Sequence, residues 1–206
     1  MTDGLLAMFP LSAVLFPYCP MGLQVFEPRY QRLVEDCLAG DRELGVVLIA
    51  RGSEVGGGDE RVDVGTVASI DVAEPVGDGR WHLAVRGQTR IRVTRWLEDD
   101  PYPRAVVEDW RAAPHDAGPA LAAAEAEVRR VRALLSELGQ APAVPGDASF
   151  GDTPDEIAWS LCASAPVNAF DRQRLLEAPR PEERLALLVD LVAAVGDDLR
   201  RILAGG

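Results

Sequence analysis

The hydrophobic period of this chain changes once along its length. Between residues 44 and 110 apolar side chains fall in short runs of strand length, several alternating with polar ones and broken by Gly, Pro and Asp. From residue 120 onward they recur at the three- and four-residue spacing of a helix face. Pro114, Gly118 and Pro119 cluster between the two regimes, near residues 112–118. Strands followed by helices, rather than strands alternating with them, indicate an α+β chain. The 206 residues suffice for one sizeable domain or two small subdomains sharing a core. A β-rich subdomain is expected over 1–114 and a helical one over 115–206.

The pattern predicts individual elements. Residues 11–16 read as a first strand ending at Pro17, and residues 23–26 as a short second one. Between them, Pro17, Pro20 and Gly22 mark a loop. Glu27-Pro28 opens a helix, since proline at the first helical position needs no amide donor, and Gly40 is its C-terminal cap. Residues 44–49 form a continuous apolar strand. The run from Val62 to Ile70 is a long β segment with a bulge or bend around Gly65. Residues 75–79 make a turn, residues 81–86 alternate as a half-buried strand, and Gly87-Gln88 reads as a tight connection before the next strand. After the break at 99–103, a last strand spans 105–110. Short strands at close intervals suggest a small barrel or folded sheet. Helices follow over 120–138, from Thr153-Pro154 to Pro166, from Asn168 or Asp171 through Leu176, and from Pro181 to the glycine pair at the end. In the last of these, Leu185, Leu188, Val189, Val192, Leu199, Ile202 and Leu203 share one face, which reads as helix-bundle core. Residues 139–152 are a linker or an ordered loop.

Composition narrows the chemistry. No lysine occurs, and all 21 basic residues are arginine. A phosphate-gripping Walker lysine, a Ser-Lys dyad and a lysine Schiff base are therefore excluded within this chain. The glycines at 56–58 are followed by Asp59 and Glu60, which repel phosphate, so they read as a turn. The formal charge of −12 disfavours nucleic acid and anionic membranes as partners. Arg129, Arg130 and Arg132 lie beside Glu125 and Glu127 and read as a solvated helix face. The three cysteines are too far apart for a paired-cysteine zinc site, and their odd number argues against a disulfide framework. Cys37 and Cys162 fall in apolar helical patterns; Cys19, in a proline-rich loop, is the one expected at the surface. No metal and no cofactor is expected. No apolar run reaches the ~20 residues of a membrane span, and the first ten residues lack the basic flank of a secretion signal; cytoplasmic residence is the expectation.

Several segments, in order, resemble the N-terminal substrate-binding domain of Lon-type proteases. Residues 10–17 look like its first strand. Val25-Phe26-Glu27-Pro28-Arg29-Tyr30, with Leu33-Val34, is similar to the strand-to-helix segment of bacterial stand-alone relatives. Residues 64–70 resemble the family's glycine-containing strand, and residues 87–93, with Arg90 and Arg92, its Gly-x-x-Arg-x-x-Val strand. Residues 172–177 followed by Arg184-Leu185 resemble its "KQxLLE…RL" helical segment. The resemblance implies a PUA-like β pseudo-barrel followed by an α-helical bundle. It also implies recognition of unfolded or hydrophobic polypeptide segments, with delivery to a separate protease or chaperone, by a module without motor or peptidase. A monomer or weak dimer is expected.

The candidate peptide-binding residues are Phe16, Tyr18, Met21, Leu23, Phe26, Glu27 and Arg29. In a loop, Tyr18 and Met21 offer adaptable apolar contact. Phe16, Leu23 and Phe26 are equally the side chains that would fill a barrel core. Glu27, Arg29 and Arg32 read either as anchors for a peptide backbone or, more simply, as helix-start electrostatics and surface pairs. Arg90 and Arg92 share a strand face and read either as partners of acids such as Asp71 or Glu98, the simpler reading, or as a site for an acidic tail. Two other functions remain open at this point. Asp99 and Asp100 are the acids a small hydrolase would use, although adjacent carboxylates on a turn point apart. PUA-like folds also include RNA binders, against which the acidic charge counts.

Overall fold

In the computed structural model the described residues are 4–52, 54, 60–111 and 118–205. The chain divides into two units, Met1–Arg111 and Ala112–Gly206. The expected boundary falls largely on 112–117, and the glycine turn on 56–58; both lie outside the described residues.

The first unit carries β1 (Gly4–Leu11), β2 (Pro20–Val25), α1 (Pro28–Ala39), β3 (Glu43–Arg51), β4 (Glu60–Pro75), β5 (Trp81–Trp96) and β6 (Arg104–Asp109). Its sheet runs β2-β5-β4-β3-β1-β6, and β6 pairs again with β5. The hydrogen-bonding circuit through β1, β3, β4, β5 and β6 therefore closes on itself. Only β2 lies outside the circuit, attached to β5 alone among the described residues. The β1–β3 pairing is parallel and the others are antiparallel, so the sheet is mixed.

Alternation sorts the buried side chains into two clusters. Leu6, Met8, Val47, Val67, Ile91, Val93, Ala105 and Val107 come from all five strands of the circuit and pack together. Phe9, Leu11, Leu23, Val25, Val46, Ile70, Leu83 and Val85 join Tyr30, Leu33, Val34 and Cys37 of α1 in the other. β1 thus gives Met8 to one cluster and its neighbour Phe9 to the other. A strand buried on both faces reads as a continuous apolar run, which is why its limits were misread. β1 ends at Leu11, and residues 12–19 form a loop rather than the expected strand over 11–16.

That loop crosses β5 at Gly87. The Tyr18 N–H donates to the Gly87 carbonyl at 2.7 Å, and the Gly87 N–H donates to the Cys19 carbonyl at 3.0 Å. Farther up the loop, the buried Thr66 hydroxyl donates to the Leu15 carbonyl at 2.7 Å. A Cβ at Gly87 would lie 2.1 Å from the Phe16 carbonyl oxygen, inside any permitted contact. Gly87 is therefore no connection: β5 runs unbroken through it, and the missing side chain is what admits the loop. Cys19, expected at the surface, is buried by the same crossing. Gly65 follows similar logic. A Cβ there would meet the Val46 carbonyl at 2.3 Å, and register shifts lie on both sides of it, between the Val47–Gly65 and Ile49–Arg61 pairs and between Thr66 and Ala68, as the expected bulge requires.

The second unit holds α2 (Gly118–Glu137), α3 (Pro154–Ser164), α4 (Ala169–Glu177) and α5 (Pro181–Gly205). Thr153 caps α3 by accepting from the Glu156 N–H, while the Glu156 carboxylate takes the Asp152 N–H at 2.9 Å. Asn168 caps α4. Arg129 fixes the 139–152 segment by donating to the Pro145 and Ala148 carbonyls. Leu185, Leu188, Val192 and Leu199 are buried on α5, but Ile202 and Leu203 are exposed, so the expected apolar face ends before the helix does. Arg184 is buried, its guanidinium 3.5 Å from the centre of the Trp159 ring, and burial lowers its pKa.

The crossing makes a paired prediction about two glycines of the first unit. Gly87→Ala is expected to cost about 3 kcal/mol, because backbone must move to admit the methyl group. Gly22→Ala, where a Cβ meets nothing within 4 Å, is expected to stay within about 0.5 kcal/mol of the parent. Denaturant midpoints of the two variants check this; equal losses would refute the account of Gly87.

Candidate functional site

The site is built from the edge strand and the helix that follows it. Pro20 opens β2, a tolerated place for proline on an edge. In β2, Met21, Leu23 and Val25 pack inward, while Gly22 and Gln24 are exposed. Phe26 leaves the strand 54% exposed. Its carbonyl accepts from the Gln31 side chain at 3.1 Å, which ties the strand end to the first turn of α1. Glu27 occupies the N-cap position without a side-chain cap bond. Its carboxylate turns instead to Arg29, at 3.1 Å. Arg29 lies 4.5 Å from the centre of the Tyr30 ring, and Tyr30 stacks on Phe9 of β1 with centroids 4.3 Å apart.

These pieces enclose a groove of about 240 Å³. One wall is residues 22–26, the other is Phe9, Pro10 and Leu11, and Tyr30, Glu27 and Glu54 complete it. The second wall exists because β6 pairs with β1 only from Gly4 to Ala7, with the Met8 N–H going to the Pro103 carbonyl. Glu54 accepts from the Ser12 N–H and hydroxyl, and its own carbonyl accepts from Arg29 at 3.4 Å. The groove is thus largely apolar along its walls, and the acidic side chains that line it are Glu27 and Glu54.

Of the seven candidate residues, Leu23, Phe26 and Glu27 line the groove. Phe16 is fully buried, and Leu23 is also counted in the core, as the packing alternative held. Phe26 does not fill the core. Met21 belongs to β2 and packs against the α1-side cluster, so it is not a loop residue. Tyr18 is 43% exposed, held at a φ of +64° by the Gly87 crossing, and does not line the groove. Arg29 stands behind Glu27, and Arg32 pairs with Asp36 on the exposed side of α1. Phe9, Leu11 and Tyr30 were missed as lining residues; the stacking of an early strand against the first helical turn leaves no signal in local pattern.

The remaining candidates are absorbed by structure. Both oxygens of Asp99 are held by Arg61, at 2.7 and 3.1 Å, and Arg61 packs over Trp96. Arg90 and Arg92 flank Trp110, at 4.3 and 4.4 Å from its ring, and Asp71 pairs with Arg86 instead. Arg129 and Arg130 pair with Glu125 and Glu127, but all four are partly buried and Arg129 also packs over Phe150, so this is not the solvated face expected. Among the described residues no group of three or more His, Cys, Asp or Glu side chains is placed to hold a metal ion. No helix of the described residues is long and apolar enough to cross a membrane.

The profile of the ATP-dependent protease La (LON) substrate-binding domain matches residues 6–194. The chain is 25% identical over 203 residues to Lon protease 1 of Herpetosiphon aurantiacus, covering 91% of this chain and 24% of that protein. It is 29% identical over 203 residues to Lon protease 2 of Sorangium cellulosum, covering 92% of this chain and 24% of that protein. It therefore spans about a quarter of the length of these curated relatives. The crystal structure of a Lon N-terminal domain protein from Xanthomonas campestris superposes with a TM-score of 0.62 at 26% identity, covering 90% of this chain and 97% of that one.

A second cleft lies against the last turn of α1, lined in part by Asp36, Cys37, Asp41, Glu43 and Tyr102. The Tyr102 hydroxyl donates to Asp36 at 2.9 Å, and the Cys37 thiol donates to the Glu43 carbonyl at 3.1 Å. Burial, then the Asp36 hydrogen bond, pushes Tyr102 up to about 12; burial, then the Asp36 charge, pushes Cys37 up to about 11. Both groups stay protonated and serve as donors, not nucleophiles. Because Tyr102 ordinarily titrates at 10.0, the folded chain holds its proton after the unfolded chain has lost it. Stability present below pH 10 is thus lost as pH rises toward 12. Tyr102→Phe is expected to flatten that fall, at a cost of about 1 kcal/mol near neutrality from the lost hydrogen bond. Denaturant midpoints across this pH range test it, and an unchanged alkaline slope would count against it.

Proposed function

The chain belongs to the family of the ATP-dependent protease La (LON) substrate-binding domain, and from that premise we propose that it is a non-catalytic polypeptide-recognition module. Its ligands are unfolded or hydrophobic protein segments, and a separate protease or chaperone receives them. The observation that carries this reading is the groove beside β2, where an exposed Phe26 stands at the rim of an apolar channel. Exposed aromatic surface next to a concave apolar site is what a binder of varied hydrophobic segments requires. We read the closed strand circuit as the PUA-like pseudo-barrel, and the four helices of the second unit as the bundle. The module works in the cytoplasm as a monomer or weak dimer.

Competing readings draw less support. A carboxylate hydrolase would need converging acids, and Asp99 is engaged by Arg61. An RNA binder would need a basic face, whereas the groove presents Glu27 and Glu54 on a chain of net charge −12. The 206 residues hold no lysine, so neither Walker ATPase nor Ser-Lys peptidase chemistry resides in them.

The test is the affinity for one fluorescent polypeptide presented both permanently unfolded and folded. The unfolded form is expected to bind more tightly by at least about tenfold. Phe26→Ser is expected to weaken that binding by about tenfold, the worth of part of a buried aromatic ring, while leaving the melting temperature nearly unchanged. Equal affinity for both forms, or none, would overturn the proposed function; an intact preference in Phe26→Ser would move the site off the groove.

A further inference from the structure

The free side of β2 presents main chain as well as side chains. The Gly87 N–H donates to the Cys19 carbonyl, and the β2–β5 register pairs Met21 with Val85, Leu23 with Leu83 and Val25 with Trp81. In an antiparallel pair, hydrogen-bonded and non-hydrogen-bonded positions alternate. Counting on from Cys19, the main chains of Met21, Leu23 and Val25 bond to β5. Those of Gly22 and Gln24 therefore point away from it, toward the side on which no described strand pairs. Both residues line the groove. An exposed strand edge of this kind is complemented by another extended main chain, which meets donors and acceptors at strand spacing.

We infer that the groove captures its ligand by strand addition: an extended polypeptide segment pairs with Gly22 and Gln24 along the outer edge of β2. This rests on the polypeptide-recognition reading above and specifies its mode and chemistry. Alternate side chains of the added strand face the apolar lining of Phe9, Leu11 and Tyr30. The acidic lining groups are Glu27 and Glu54, with Arg29 outside the lining, so Lys or Arg in the remaining positions complements the rim. The preferred segment alternates apolar and basic residues. Recognition through main chain also accounts for tolerance of varied sequences, since every segment carries the same backbone groups. The surface around Gly22 is open, with nothing within 4 Å of where its Cβ would stand.

The probe is a heptapeptide alternating valine and lysine, with two isomers N-methylated at alternate amides in opposite phases. One phase removes the donors that face β2 and the other leaves them. One isomer is expected to bind about as the parent peptide does, and the other at least about tenfold more weakly. Gln24→Pro is expected to reproduce the loss, since it deletes an outward N–H that the β5 ladder does not use. Equal binding of both isomers, with unfolded polypeptide still preferred, would overturn strand addition and leave the recognition reading intact. No binding of either peptide or unfolded polypeptide to the parent would overturn both. A dimer in sedimentation that Gln24→Pro converts to monomer would mean that a second copy takes this edge, and would overturn the inference as well. The isomer comparison decides the matter even if the proline variant does not fold.

Discussion

The first unit depends on one close crossing, where residues 16–19 pass over β5 at Gly87. Two backbone hydrogen bonds hold the crossing, and a side chain on Gly87 would collide with the Phe16 carbonyl. The consequences run in both directions. Upstream, the loop is seated by Thr66 and buries Phe16, so β1 is coupled to β4 and β5 without pairing to either. Downstream, the chain leaves Cys19 already in register with β5, and β2 zips onto the outer side of that strand. The site therefore lies where a backbone contact, rather than a side-chain pattern, places it.

The groove is the remainder of that arrangement. Among the described residues β2 pairs with β5 alone and β6 leaves β1 after Ala7, and residues of both strands line the same groove. α1 cannot fill it completely, because its first turn directs Tyr30 to Phe9 while Glu27 turns to Arg29. A closed circuit of strands suppresses most exposed edges. What stays open is short, proline-initiated and rimmed by carboxylates, features that limit indiscriminate edge-to-edge pairing while keeping main chain available to a ligand. The closed circuit and the proposed binding edge thus belong to different strands of one sheet.

Local chemistry was legible wherever it was decided within a few residues. Pro28 at the first turn started α1, Thr153-Pro154 started α3, and of the two starts open for α4 Asn168 is the cap, because proline geometry and capping act between near neighbours. The turn at 75–79 was legible too, with Gly77, Asp78 and Gly79 all at positive φ. Strand limits were less so. Apolar runs buried on both faces carry no phase, so β1 was placed too late; Gly87 was read as a connection because its reason for being glycine is the contact with residues 16–19, far away in the chain. Among candidate site residues, Phe26 was visible as an aromatic beside a helix start, yet its exposure was not. Met21 and Tyr18, both read as loop contacts, part company, one packed and the other exposed, because their surroundings come from β5, more than sixty residues away in the chain.

The sequence by itself determined the α+β order of elements, the helix starts, the acidic character and the absence of lysine chemistry. It also carried the family resemblance, since an ordered series of short segments survives where each alone is uninformative. Tertiary structure alone decided which glycines are sites of backbone contact, which edge of β2 stays unpaired, and that Phe9 and Tyr30 meet across a groove. The physical reason is range. Capping, turn geometry and charge are set between residues close in the chain. Register, edge exposure and concavity depend on contacts between strands distant in sequence, which no local periodicity encodes.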